Sequence, residues 1–472
     1  MSLLNNTKWV AIAQFIKILC QIISLVLLAR LIPPNEYGLM AMAGVVVALG
    51  FLFRDMGTSA ALIQKKEITE NLKNAVFWLN IITGFLLCFA IALFSPIASE
   101  YFKQAELIPV LLLLSFTFPI TSLASSHLAL MERQSQFKKI AFIESSSSLA
   151  ATIFAILAAY NHYGVYSLVI QSLANALISS VLIWNASRWI PSANGYKYLK
   201  DIRDILRFSG NLVAFNFINY FSRNADRYII GRFMTSAVLG AYDLAYKIML
   251  FPLQTLTFVV SRAMLPILSG FQDEKKNFNS TYVQSLTWIT VISFPLMAGM
   301  AALREPFVNL VFGPQWGLVA HILLWLAPTG MLQSMNSTTG AVLTAKGKTN
   351  ILFYTGIMCA LIYVSCFIIA PKSDIVKFSE YYFYSNILAV GLNLWVLFKV
   401  IELSLKSIFK SLFPIVFATL IMFFTLDFLV NLFSESFLNF IMLTFVGIIV
   451  YFTTYLVMPN NLIVVYLRKR KL

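Results

Sequence analysis

Apolar residues recur along the chain in runs of roughly 20, the length that crosses a bilayer as a helix, and polar residues gather in short breaks between them. These runs predict fourteen membrane-spanning helices: 9–31, 38–56, 75–98, 106–130, 140–160, 163–187, 209–231, 238–265, 282–303, 316–341, 350–370, 381–400, 409–430 and 437–458. The seventh run breaks the apolar rule. Its core, "FNFINYFSRNADRYIIGRFM" (Phe215–Met234), carries Asn216, Asn219, Arg223, Asn224, Asp226 and Arg227. At the helical period, Asn216, Asn219, Tyr220, Arg223, Asp226 and Arg227 share an arc of about 120°. The expectation is a helix with one polar face.

An internal repeat gives that face a context. "LLARLIPPNEYGLMAMA" (Leu27–Ala43) and "IIGRFMTSAVLGAYDLA" (Ile229–Ala245) align at an offset of 202, pairing Arg30 with Arg232, Gly38 with Gly240 and Ala43 with Ala245. Six spans separate the copies, so they keep the same orientation, as parallel repeats about an axis along the membrane normal. The expected organisation is a lobe over 1–187, a basic amphipathic linker over 188–208, a second lobe over 209–400, and two further spans with a basic tail over 401–472. The same offset sets Gln14, Lys17, Gln21 and Ser24 of the first span against Asn216, Asn219, Arg223 and Asp226, and those four also share a face. In the eighth span Asp243, Lys247 and Gln254 do the same. Ionisable groups facing hydrocarbon are costly, so these faces are expected to line a central cavity between the lobes.

Charge refines the expectation. Lys17, Arg223, Arg227 and Lys247 outnumber Asp226 and Asp243 on these faces, and arginine offers the bidentate geometry that suits phosphate or carboxylate. Lys17, Gln21, Asn216, Asn219, Arg223, Arg227 and Lys247 are therefore the candidate ligands of an anionic cargo, with Lys17 expected to face the two arginines; the alternative is an ion-pair network, such as Arg223 or Arg227 with Asp226, that locks the helices together. Asp226, Asp243 and Glu144 are candidate carboxylates for ion coupling. Hydrophobic residues make up 59% of the 472 and charged ones 12%, which excludes an ordinary soluble domain. The net charge of +15 would suit nucleic acid, but its distribution does not. With the N-terminus inside, 25 Lys and Arg fall in cytoplasmic segments against 6 outside, which places both termini in the cytoplasm. Lys8 precedes the first span without a small-residue cleavage site, so no cleaved signal is expected. The 4 Cys sit in apolar runs and the 3 His stand apart, so no metal site is expected. "AKGKTN" (345–350) lacks the glycine a phosphate loop needs at Val342, and the chain has no D-x-D pair.

Five stretches carry a family likeness: "LARLIPPNEYGLMAMA" (28–43), "DMGTSAALIQKKEIT" (55–69), "ADRYIIGRFMTSAVLGAYDLAYKIMLFPLQTLT" (225–257), "SRAMLPILSGFQDE" (261–274) and "GPQWGLVAHILLWLAPTGMLQSMNSTTGAVLTAKGKTN" (313–350). On these the chain resembles Wzx-type flippases of the MOP superfamily, which also holds MATE exporters and lipid II flippases. Within it, the likeness is to the polysaccharide-transporter branch typified by colanic acid, succinoglycan and teichuronic acid exporters. It covers roughly residues 5–400 and fades over the last two spans; Met56 and the double proline Pro33–Pro34 are small departures. Asp226, Arg227, Gly231 and Gly240 are shared pattern positions. The resemblance implies an all-α membrane protein that flips undecaprenyl-pyrophosphate-linked oligosaccharide from the cytoplasmic to the periplasmic leaflet by alternating access. It implies no enzyme activity and no cofactor beyond a proton or sodium gradient. It also implies a bacterial inner-membrane location, contact with membrane lipids, and a polysaccharide polymerase and glycosyltransferases as partner candidates. A lipid II flippase fits the charge equally well. A MATE-like drug exporter calls for an acidic cavity, and a membrane glycosyltransferase or polymerase for a large extramembrane loop or an acidic metal site.

Overall fold

The computed structural model describes residues 3–54, 62–63, 68–194, 196–197, 217, 220–221, 223–272 and 274–459. Among them every regular element is helical. The first part of the chain forms α1 (Leu3–Leu31), α2 (Pro34–Arg54), α3 (Glu70–Phe102), α4 (Leu107–Ser115), α5 (Thr117–Arg133), α6 (Phe137–Tyr160) and α7 (Val165–Ser187). Then come α8 (223–233), α9 (Ser236–Gly270), α10 (Lys275–Ala302), α11 (Arg304–Val311), α12 (Gly317–Asn336), α13 (Thr339–Ala345), α14 (Thr349–Ile369), α15 (Ile375–Val400), α16 (Leu405–Val430) and α17 (Phe437–Val457). Among the described residues, twelve segments are long and apolar enough to span a bilayer, and each coincides with one of the fourteen expected spans. Of the other two, 238–265 falls on α9, while 209–231 begins outside the described residues and is described without interruption from 223. The protein is a multi-pass membrane protein.

Local chemistry sets the helix ends. Pro34 opens α2, where its fixed φ fits a first helical position. Thr69 caps α3 by accepting from Leu72 N at 3.2 Å, and Asp374 caps α15 by accepting from Val376 N and Lys377 N. Glu36 accepts from Val165 N at 2.6 Å, setting a carboxylate at the positive end of α7. Arg232 donates to the carbonyls of Glu100 and Tyr101 at the end of α3, at 3.1 and 2.5 Å. Lys275, at the start of α10, donates to Glu402 in the turn after α15 and holds that carboxyl below its ordinary pKa.

Two expected spans are broken instead of continuous. The fourth divides at Phe116 into α4 and α5. Pro119 has no N–H to offer the carbonyl one turn back, and the Thr117 hydroxyl donates to Leu114 O at 2.6 Å. The tenth divides at Ser337–Thr338 into α12 and α13. There Ser334 and Ser337 turn their hydroxyls back onto the carbonyls of Met331 and Ser334, both at 2.7 Å, competing with the helix ladder.

The chain separates into two compact units, Met1–Gly240 and Ala241–Leu472. Residues 217–240, which the repeat assigns to the second lobe, cluster with the first unit. Inside it, α3 packs on α5, and α5 and α6 pack on α7. Inside the second unit, α10 packs on α12, and α12 and α14 pack on α15. Matched by the repeat, these are the same adjacencies. The last two helices join the second unit's core: α16 packs on α10 and α17 on α16, and Tyr451 donates to Val291 O at 3.0 Å.

Candidate functional site

The polar face expected on the first span divides. Lys17 reaches α6 and pairs with Glu144 at 2.5 Å, both side chains remaining over a third exposed. One face-repeat further along, Ser24 is buried and accepts from Gln171 of α7 at 2.7 Å. Gln14 and Gln21, turned about 40–60° away on the helical wheel, are exposed. α1 therefore uses one edge of its polar face to hold α6 and α7 and keeps the other open.

The seventh span is described from its polar half onward; Asn216 and Asn219 lie outside the described residues. Tyr220 anchors the stretch by donating its hydroxyl to Val45 O on α2. Asn224 donates to Tyr220 O at 2.9 Å and accepts from the Arg227 guanidinium at 2.9 Å. Asp226 is only 2% exposed and accepts from Arg227 N at 2.8 Å. Arg223 differs from all of these: it is exposed and has no ion-pair or hydrogen-bond partner among the described residues.

On α9 the Lys247 ammonium pairs one turn away with Asp243 at 2.7 Å; Asp243 is buried and Lys247 exposed. Asp427, another carboxylate within a span, lies 3.9 Å from Arg304. Among the described residues no cluster of His, Cys, Asp or Glu could hold a metal ion. The structure thus sorts the candidate cations into two lysines engaged by carboxylates, Arg227 braced by Asn224, and Arg223 open. Glu144 also enters the charge balance, which falls from an excess of two to an excess of one.

One group of polar side chains was not anticipated. Gln333 of α12 donates to Tyr382 Oη at 3.0 Å and to Asn386 Oδ1 at 3.2 Å, both on α15, and Tyr363 of α14 donates to the same Asn386 oxygen at 3.2 Å. The available signal was amide residues within apolar runs, but lone Gln and Asn residues carry no spacing that marks them as a set.

A family model described as "Polysaccharide biosynthesis protein" matches residues 27–321, well over half the chain. The chain belongs to this family. Among its relatives is the lipopolysaccharide biosynthesis protein WzxC of Escherichia coli (strain K12), 27% identical over 369 residues that cover 78% of this chain and 75% of that one. Another is the teichuronic acid biosynthesis protein TuaB of Bacillus subtilis (strain 168), 27% identical over 414 residues covering 87% and 85%. The fold is that of a lipid II flippase MurJ solved in an inward closed conformation, with a TM-score of 0.76 at 15% identity, covering 94% of this chain and 97% of that one. The Wzx-type, MOP-superfamily resemblance stated from the sequence is borne out.

Proposed function

We propose that this family member is a flippase. It carries an undecaprenyl-pyrophosphate-linked oligosaccharide from the cytoplasmic to the periplasmic leaflet of a bacterial inner membrane, for assembly of a surface polysaccharide. Family membership and relatives named for lipopolysaccharide and teichuronic acid biosynthesis support the pathway. The observation that carries the mechanism is Arg223, an exposed cation on the polar face of the seventh expected span, without a partner among the described residues. A guanidinium left open in such a helix is costly unless a ligand of opposite charge completes it. The pyrophosphate, or an acidic sugar next to it, is that ligand, and the polyprenyl tail stays in lipid. The protein is proposed to move its cargo by alternating access of two lobes, driven by a proton or sodium gradient, with Asp226, Asp243 and Glu144 as the carboxylates that could couple it. Transport requires no bond making or breaking in this scheme.

The test replaces Arg223 with Ala in cells lacking the native copy and reads surface polysaccharide and membrane abundance together. The expected outcome is a fall in polysaccharide of at least about tenfold at near-normal abundance, in line with removal of a charge-assisted contact. If abundance falls as well, and adding Asp226→Asn restores both quantities, the arginine holds the fold and the proposal fails.

A further inference from the structure

The polar group on α12, α14 and α15 lies wholly within the second unit and belongs to none of the charged faces. Its hydrogen bonds fix every amide orientation. Asn386 is fully buried and donates its amide nitrogen to Tyr382 O at 2.8 Å, so its oxygen must face Gln333. Gln333 therefore presents its NH₂ to that oxygen and to the Tyr382 hydroxyl, which uses both of its donors. Of the four polar amide atoms, the Gln333 carbonyl oxygen is the one without a partner. It accepts from no described group, and it is not among the buried side-chain atoms lacking a partner, so it is open to its surroundings.

Aromatic rings stand around this amide. The Tyr382 ring centroid lies 6.1 Å from that of Tyr363, 5.4 Å from Phe367 and 6.4 Å from Tyr246. Tyr246 is half-buried and lies about 60° from Asp243 on the helical wheel of α9, on the side away from Lys247. The rings thus run from the flank of the charged face of α9 to Tyr382, whose hydroxyl accepts from Gln333.

Charge and donor count exclude a cation here. The Asn386 oxygen already receives two donors, and no carboxylate takes part in the network. An anion gains little as well, because the second N–H of Asn386 belongs to a fully buried side chain and the unpartnered Gln333 oxygen is an acceptor. What remains is a neutral ligand with hydroxyl or amide hydrogens to donate and a flat apolar face for the rings. That is the chemistry of a neutral sugar ring.

We infer that Gln333, held by Asn386, Tyr363 and Tyr382 and flanked by Tyr246, forms a subsite for a neutral sugar of the lipid-linked cargo, separate from the cations that take its anionic part. This rests on the flippase reading. Buried polar groups between membrane helices also bind helices together, so the test must read ligand binding and not folding alone.

The experiment uses the purified full-length protein in detergent, saturation-transfer NMR with a panel of neutral methyl glycosides, and calorimetry with inorganic pyrophosphate. The variants are Gln333→Met, close in size but without the acceptor, and Tyr246→Leu, which removes a ring and leaves the amide network in place. The expected result is a loss of glycoside signal of at least about fivefold in both, with pyrophosphate binding unchanged. Arg223→Ala should do the reverse. Wild-type protein that gives no glycoside signal, or a signal unmoved in either variant that folds, overturns the subsite. Absence of pyrophosphate binding with a glycoside signal that depends on Gln333 counts instead against the anion site of the proposed function and leaves the subsite standing.

Discussion

Lys17 cannot give its ammonium fully to Glu144 and to a cargo phosphate at once. The pair measures 2.5 Å, but both side chains are over a third exposed, so water screens it and its worth is on the order of 1 kcal/mol or less. Such a pair is weak enough to open when a stronger anion arrives. If Lys17 is a cargo ligand, Glu144→Gln frees it and should tighten inorganic pyrophosphate binding by about three- to fivefold, the factor that about 1 kcal/mol allows. Lys17→Met should weaken the same binding. Calorimetry on the two proteins decides, and unchanged affinity in both would make the pair a helix tie alone. At this scale the sequence is legible in one direction only. The period of α1 shows that Lys17 and Ser24 share a face, but Glu144 and Gln171 lie 127 and 147 positions away, and no local pattern connects them. Arg223 was legible as a charge out of place. That it stands open while its neighbours are engaged is a property of packing.

The repeat is most visible at the level of helices, where two short segments meet. A Cβ at Gly38 would fall 1.8 Å from Ser236 O, and one at Gly240 would fall 2.2 Å from Pro34 O. Positions 34 and 236 are related by the same offset as 38 and 240, so the contact is reciprocal: each first turn rests on the glycine of the other. Reciprocity of this kind is what a two-fold relation between two segments produces. Close approach of helix backbones through glycine is also a main source of attraction in lipid, where apolar side chains gain little by meeting each other. Alanine at either position must push a backbone aside, a strain of about 1–3 kcal/mol. Thermal unfolding in detergent should show Gly38→Ala and Gly240→Ala each melting several degrees lower. Gly44 of α2 supplies the control: nothing lies within 4 Å of its would-be Cβ, so Gly44→Ala should be neutral or mildly stabilising through better helix propensity. The glycine pairing was readable in the sequence as an alignment, whereas the breaks at Phe116 and at Ser337–Thr338 were not. Those depend on whether a serine or threonine hydroxyl turns back onto its own helix or out to a neighbour.

For the whole molecule, the open matter is a parity of crossings. Lys103 ends α3 and Lys372 precedes α15, and the expected topology places both outside. Six of the twelve segments identified as spans lie between them: Leu107–Arg133, Phe137–Tyr160, Val165–Ser187, Lys275–Ala302, Pro314–Ala345 and Thr349–Ile369. The 35 residues of α9, at about 1.5 Å each, are also long enough to cross, which makes seven. Seven crossings would put Lys103 and Lys372 on opposite sides. Only an eighth, through 209–231 with its two arginines, returns them to the same side. The distribution of Lys and Arg, 25 against 6 when fourteen spans are counted, favours that eighth crossing, because without it the basic segments of the second half would face outward. Cysteine replacements at 103 and 372, in a background where Cys20, Cys88, Cys359 and Cys366 are changed to alanine, should both react with a membrane-impermeant maleimide added outside intact cells. Cysteines at 66 and 470 should stay protected until the membrane is opened. Labelling at 103 but not at 372 would mean that the seventh stretch does not cross; Arg223 would then lie at an interface and not within the bilayer, and the cationic site built on it would fall.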